Sequence, residues 1–455
     1  MKNIRVLILA AGKGTRMKSR RAKVLHEVGG APLVAHVMSA AASISSEVIT
    51  VIGYQADKVR EKFPGGNFVA QTEQLGTGHA VIRARSRFRG YLGDVLVLPG
   101  DVPLVSAKTL KELIAFHRRG KFVASVLTAE VDDPSGYGRI VRRKDGQLNA
   151  IVEHRDAAAE VLKLKEINSS IYVFDSKALF EALSKVRNKN AQAEYYLPDV
   201  IGILASAGRK VGACKAASAN EVLGINSRKE LAAIDRLMRR KKCDELMAAG
   251  VTIVDPDSTF IDAGVKIGTD TIIYPSVQIY GTTSIGGDCT IHSFCRISNT
   301  KIGSRATVLD GCIIVDCELA DDTSVGPFAH LRMHTKLQRD VKVGNFVEIK
   351  KSTLAAGTKA MHLAYLGDAT IGKKVNIGAG TITCNYDGVN KNPTVIEDGV
   401  FIGSDSQLIA PVTIGKGAYV AAGSSITDNV PPDSLAIARG RQTVKEGWAK
   451  ARKKK

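Results

Sequence analysis

The chain has 455 residues, too many for one ordinary core, so two or three domains are expected. Its 44% hydrophobic and 24% charged residues exclude a disordered chain, and no apolar run approaches a membrane span. The net charge of +19 favours anionic partners, phosphorylated metabolites among them. The cations are dispersed, and no interleaved aromatic and basic motif points to nucleic acid.

The first apolar run, residues 6–11, is too short for a secretory core. The seven cysteines are scattered without metal-site spacing, which fits reduced thiols in a cytoplasm. Apolar runs at 6–9, 48–52, 95–98 and 122–127 alternate with helical stretches near 33–44, 56–63, 79–88 and 107–118. Strand alternating with helix predicts an α/β domain over 1–226, with a Rossmann-like, largely parallel, doubly wound sheet. Ligands on such sheets lie beyond the carboxyl ends of the strands.

Two polar motifs stand at those ends. Leu9-Ala10-Ala11-Gly12-Lys13-Gly14-Thr15-Arg16-Met17, followed by Lys23, is a Gly-rich loop with several cations. It is neither a Rossmann fingerprint nor a Walker loop, yet backbone amides and cations suit a triphosphate. The alternative is a plain strand-to-helix turn. In Pro99-Gly100-Asp101, the carboxylate just past a strand can hold a hard cation such as Mg²⁺, or merely cap the next helix. His26, His36 and His79 read as structural.

Residues 227–250 have helix-forming composition, with Leu231, Ile234, Leu237 and Met238 as one apolar stripe, and read as a linking helix. The basic runs at 239–242 and 450–455 read as a solvated helix face and a terminal tail.

From 251 to 455 a six-residue period takes over. Ile261, Ile267, Ile273, Ile279, Ile285, Ile291 and Ile297 fall six apart. Later series run 319, 325, 331, 337, 343, 349 and 396, 402, 408, 414, 420, 426. Small or β-branched residues follow four positions later, Cys289 and Cys295 among them, so these two read as core. Short strands with turn residues at the corners make a parallel β-helix. The register is expected to fail over 350–370 and 384–395, placing His362 and its polar neighbours in projecting loops, where function concentrates. His330 and His334 read as surface residues.

The Gly-rich loop with its downstream Lys resembles the sugar-nucleotide pyrophosphorylases, and the hexads resemble the hexapeptide-repeat acyltransferases with left-handed coils. Together with Gln71 through His79, Gly136 through Ile140, Asn345 through Glu348, His362 through Asp368 and Asn376 through Asp387, the whole chain resembles one family. This is the bifunctional bacterial N-acetylglucosamine-1-phosphate uridyltransferases/glucosamine-1-phosphate acetyltransferases. The resemblance implies Leu9, Ala10, Ala11, Gly12, Gln71, Gly76 and Thr77 at uracil and ribose, and Arg16 and Lys23 as catalytic cations on the triphosphate. It implies Gly138, Glu153, Asn168 and Asn226 at the sugar, with Asp101 and Asn226 as Mg²⁺ ligands.

In the repeat it implies His362 as the acetyl-transfer base. Arg332, Lys350, Tyr365, Asn376 and Lys391 would take the sugar phosphate. Ala379, Asn385, Tyr386, Ser404, Ala422 and Arg439 would line the acetyl-CoA groove. UTP and acetyl-CoA are the implied co-substrates, feeding cell-wall precursor synthesis, and the implied assembly is a cytoplasmic homotrimer with no nucleic-acid or membrane partner. The alternative is a pyrophosphorylase whose β-helix is only structural or regulatory. Two departures from the family stand out: Pro99 where a Tyr is usual, and Met333-His334 where Pro-Gly is usual.

Overall fold

The computed structural model describes residues 3–453; the ends of the chain, including the last two lysines of the basic tail, lie outside the described residues. In chain order the first half contains β1 (Ile4–Ala10), α1 (Leu33–Ala42), β2 (Val48–Ile52), α2 (Ala56–Lys62), β3 (Phe68–Ala70), α3 (Thr77–Arg83) and β4 (Asp94–Pro99). It continues with α4 (Ala107–Arg119), β5 (Ala124–Glu130), β6 (Arg139–Arg142), β7 (Leu148–Val152), β8 (Glu166–Asp175), α5 (Ser176–Leu183), α6 (Asp199–Ser206) and β9 (Val211–Lys215). The sheet order is β9-β5-β8-β4-β1-β2-β3.

The strands β4, β1, β2 and β3 run parallel. Val6, Leu7 and Ile8 are all buried, as expected of a strand covered on both faces. The departure from the expected parallel sheet is β8, antiparallel to both β4 and β5. It follows the β6–β7 hairpin after a connection with only a single helical turn, Ala159–Leu162, too short for the helical crossover that parallel pairing uses. After β1 the chain moves one way through β2 and β3, then returns to place β4 on the other side of β1. The carboxyl ends of β1 and β4 therefore flank the switch point where such sheets hold ligands.

The second half is a left-handed parallel β-helix. Ile273, Ile291, Val308, Val325, Val343, Ala360 and Ile377 stack in parallel register along one wall. All seven are buried, and Cys289 and Cys295 are buried among them.

The expected interruption over 350–370 does not occur. Ile349, Leu354, Ala360, Leu366 and Ile371 continue the buried series through two nine-residue strands, β10 (Lys342–Lys350) and β11 (Lys359–Gly367). A strict six-residue count misses it because two corners, at Lys351 and Asp368, take a five-residue step with left-handed backbone. The small Ala360 also hides among aliphatics. His362 and Tyr365 thus stand on a strand, not a loop. Asn385 through Lys391 do form a projecting loop, closed by a bridge between Tyr386 and Lys391.

Helix α7 (Arg228–Ala248) joins the halves, and the chain's contacts divide within it, between Met238 and Arg239. Ile234 is buried with Met17, Val28 and Leu33, while Leu231 and Met238 pack partly against them. Leu237, expected on the same stripe, is 36% exposed, because it lies about a quarter of a turn off that line. In the basic run, the Arg239 guanidinium lies 3.9 Å from the Phe260 ring centroid, and Arg240 pairs with Asp244 and Asp257.

Met333 and His334 turn a corner with φ of 56° and 63°. The left-handed region costs an ordinary residue about 1 kcal/mol or more, a cost glycine escapes. His334→Gly should therefore raise the urea midpoint, with a gain of about 1 kcal/mol. An unchanged or lowered midpoint would contradict this account.

Candidate active sites

The first site is a cavity of about 640 Å³ at the switch point of the sheet. Leu9, Ala10, Ala11, Gly12, Arg16, Lys23, Gln71, Gly76, Thr77, Asp101, Gly138, Glu153, Asn168 and Asn226 all line it. Gly14, at φ 62°, turns the loop so tightly that a β-carbon there would stand 2.6 Å from Cβ of Lys23. This closeness lets the loop fold over the lysine.

At the polar end the Lys23 ammonium donates to Oδ2 of Asp101 and, at 3.2 Å, to Oδ1 of Asn226. Arg16 Nη2 donates to the same Asn226 oxygen at 2.9 Å. The amide of Ile225 bonds the carbonyl of Asp101 at 3.0 Å, which brings residues 124 apart in sequence to one point. Two hard oxygens, one carboxylate and one amide, face a single cation. Mg²⁺ favours such a sparse oxygen set, because it keeps waters and phosphate oxygens as its other ligands. The donor set fits.

At the other end β8 bulges between Asn168 and Tyr172, with Ser170 at φ 61°. The Asn168 side-chain oxygen there accepts from the Tyr172 hydroxyl and the Ser170 amide, both at 3.0 Å. Bulges re-aim side chains near active sites. Burial, then the carboxylates of Asp156, Asp199 and Glu194, push the Glu153 carboxyl up to about 7.

Between the ordinary glutamate value of 4.5 and about 7, folded Glu153 keeps a proton that the unfolded chain has lost. Stability therefore falls as pH rises through this window, and the cost is complete above it. Glu153→Gln should stabilise the protein at pH 8 by roughly 2 kcal/mol, and not at pH 4. Denaturation at the two pH values checks this; equal effects at both would refute it.

The second site lies on the β-helix around β10 and β11. His362 stands in register with Asn345 one coil earlier, and its Nδ1 lies 3.0 Å from Oδ1 of Asn345. An amide oxygen there accepts the Nδ1 proton and leaves the Nε2 lone pair free. Register carries His362 onto Ala379 in the next coil. Asp405 donates to the Ala379 carbonyl and Gly423 to that of Ser404, so Ala379, Ser404 and Ala422 continue the same column. All three side chains are small, and the Arg439 guanidinium donates to the Ala422 carbonyl at the far end of the column.

Toward the other end of β11, Arg332, Lys350 and Gly367 align on successive coils. Arg332 grips Glu348 with two nitrogens, at 2.9 and 2.6 Å. Lys391 beside Lys350, and then burial, hold the Lys350 ammonium below the ordinary lysine range. Crowded cations, with the carboxylates of Glu348 and Asp368 among them, can hold an anion. Gly367 lies under the Tyr365 hydroxyl and the Asn385 amide, and that amide donates to Asp368 at 2.6 Å. Tyr386 is exposed on its loop. Asn376 pairs instead with Lys359, at the opposite end of β11, and does not join this cluster.

Comparison with known proteins agrees with this division. Residues 6–193 match the MobA-like NTP transferase domain, and residues 393–428 match the bacterial transferase hexapeptide of six repeats. The chain is 50% identical over 451 residues to the bifunctional protein GlmU of Koribacter versatilis, covering 98% of this chain and 96% of the relative. It is 48% identical to the GlmU of Halalkalibacterium halodurans over 98% and 99% of the two chains. It is 47% identical to that of Pelobacter propionicus over the full length of both. The chain belongs to the GlmU family.

Several residues of this GlmU-family chain were not singled out in the sequence. Asn345 carries no mark of its own in the sequence; the coil repeat of 17 residues from Asn345 to His362 is the signal that pairs them. Tyr172, Glu194 and Tyr196 reach the first cavity from β8 and from the segment before α6. Nothing in their spacing announces this. Pro99 also lines that cavity, beside Asp101.

Proposed function

We propose that the chain acetylates glucosamine 1-phosphate from acetyl-CoA at the β-helix, and then transfers UMP from UTP to the product at the α/β domain, releasing pyrophosphate. The carrying observation is that one chain holds both constellations. Lys23, Arg16, Asp101 and Asn226 meet at the sheet switch point, and a histidine held by Asn345 heads a column of small residues on the β-helix.

In uridylyl transfer the nucleophile is already an anionic phosphate oxygen, so alignment and charge neutralisation do the catalysis rather than a strong base. Arg16 and Lys23 neutralise the phosphates, while Gln71, Gly76 and Thr77 hold the base and ribose. Gly138, Glu153 and Asn168 orient the sugar. Mg²⁺ would be held by Asp101 and Asn226 and would supply charge neutralisation at the phosphates when bound.

In acetyl transfer the amine nitrogen attacks the thioester carbon, and Nε2 of His362 takes the proton. Arg332, Lys350, Tyr365, Asn376 and Lys391 hold the sugar phosphate. Ala379, Asn385, Tyr386, Ser404, Ala422 and Arg439 take coenzyme A. Asn376 lies away from the Arg332–Lys350 cluster within one chain, as expected if a second copy completes the pocket.

A homotrimer is the proposed assembly. Phe328, Phe346 and Leu363 project from successive corners with exposures of 55, 58 and 63%, and Phe294, 71% exposed, stands two coils before Phe328. Such a ridge of exposed aromatics marks an interface. The proposed location is the cytoplasm. All seven cysteines are free, and no described helix is long and apolar enough to cross a membrane.

The test supplies the full chain with glucosamine 1-phosphate, acetyl-CoA and UTP, and follows thiol and pyrophosphate together. Pyrophosphate should appear only after thiol. Pyrophosphate at full rate without acetyl-CoA would overturn the proposed order. Pyrophosphate from N-acetylglucosamine 1-phosphate with no thiol release under any condition would leave the β-helix structural.

A further inference from the structure

Behind the loop of residues 71–79, proposed above to hold uracil and ribose, lies a groove that neither proposed reaction uses. Two adjoining hollows, of about 800 and 400 Å³, share Arg85, Phe180 and Ser184. The larger is walled by Phe88, Tyr91 and Phe180, with the Phe88 ring centroid 5.6 Å from Phe180 and 6.1 Å from Tyr91. Its rim carries Arg85, Arg89 and Lys177 against one carboxylate, Glu181, which lies 3.9 Å from Lys177. The Arg85 guanidinium lies 5.9 Å from the Phe180 ring centroid, and among the described residues neither Arg85 nor Arg89 has a carboxylate partner. The basic run Arg83-Ala84-Arg85-Ser86-Arg87-Phe88-Arg89, whose four arginines are exposed while Ala84 and Phe88 are buried, has no role in the chemistry above.

The smaller hollow reaches the reverse side of the 71–79 loop. Leu75, His79, Ile82 and Tyr195 line it. His79 Nδ1 lies 3.0 Å from Nε2 of Gln71. The Tyr195 amide donates to the Leu75 carbonyl at 2.8 Å, and its carbonyl accepts from the Gly78 amide at 2.7 Å. Gly76, at φ 104°, would place a β-carbon 2.7 Å from the Tyr195 carbonyl oxygen, so loop and groove wall are in contact.

Unpaired guanidinium forks suit phosphate oxygens, and an aromatic wall edged by arginine suits a flat ring. The volumes fall in the range of small-molecule sites. We propose that this groove is a regulatory site for a small phosphorylated aromatic ligand of the nucleoside-phosphate class. Its phosphates meet Arg85, Arg89 and Lys177, and its ring lies along Phe180. Occupancy changes uridine-nucleotide affinity through His79 and Tyr195, and linkage makes that effect reciprocal.

The probe is ATP, titrated calorimetrically into the full chain with the first cavity saturated by UDP-N-acetylglucosamine. One ATP per chain should bind with Kd below about 1 mM, and Arg85→Ala with Arg89→Ala should weaken it at least tenfold while the circular dichroism is unchanged. Inorganic triphosphate should bind more weakly than ATP. No ATP binding, or binding indifferent to the double substitution, overturns the site; equal affinity for triphosphate overturns the aromatic half of the assignment. ATP should also shift the KM for UTP at least threefold in the wild type and not in the double variant. An unshifted KM overturns the regulatory role. That last arm rests on the uridylyl-transfer reading and the binding arm does not. Absence of any UTP turnover would therefore sink that reading while leaving the binding result intact.

Discussion

Asp101→Ala should lower uridylyl transfer by about a thousandfold or more, while acetyl transfer stays within about twofold of wild type. Asp101 has two tasks at once. Its carboxylate fixes the Lys23 ammonium, and it is the one charged oxygen of the proposed cation pair with Asn226. Removing it leaves Lys23 and Arg16 converging on a neutral amide, with no anion to align them before the phosphates arrive. The fold should survive, because Asp101 is only partly buried and its backbone bond to Ile225 does not need the side chain. Raising Mg²⁺ should recover part of the activity in Asp101→Asn, which keeps one oxygen, and none in Asp101→Ala. Pyrophosphate release assayed across a Mg²⁺ series checks this. Equal losses in both reactions would mean that the substitution merely damages the protein.

His362→Ala should abolish acetyl transfer by a comparable factor and leave uridylyl transfer untouched. A positioned base contributes roughly a hundredfold to ten-thousandfold, and the β-helix offers no second histidine in register with Ala379. Asn345 supplies the sharper test, because it touches the imidazole rather than the substrate. Asn345→Ala should lower kcat with little change in either KM and should move the acid limb of the pH–rate profile, since the Nδ1 proton loses its acceptor. Asn345→Asp keeps an acceptor and should restore much of the rate. A purely structural asparagine would change neither the profile nor respond to that rescue.

The architecture was largely legible, because both halves announce themselves by period: strand alternating with helix, then one aliphatic in six. The first cavity was legible for a different reason. Its residues follow directly on strand ends, and a parallel sheet with a switch point gathers strand ends. What escaped depended on geometry that spacing does not encode. The five-residue corners at Lys351 and Asp368 broke the count and disguised β10 and β11 as loops. The bulge at Ser170 and the carboxylates around Glu153 come from segments whose sequences carry no period. Spacing also does not show that Lys350 and Asn376, which the resemblance groups, lie in register with opposite ends of β11 within one chain.

The column from His362 through Ala379, Ser404 and Ala422 to Arg439 also acts as a ruler. Each coil advances one strand spacing, about 4.8 Å, whatever its sequence. The reach from the base to the distal cation is therefore set by how many coils lie between them. Excising one whole coil between Ser404 and Ala422 would leave every contact type in place yet shorten the gauge by one notch. The thioester of the same donor would then overshoot the amine. With coenzyme A along this column as proposed, the count of turns would set which acyl-carrier arm length fits.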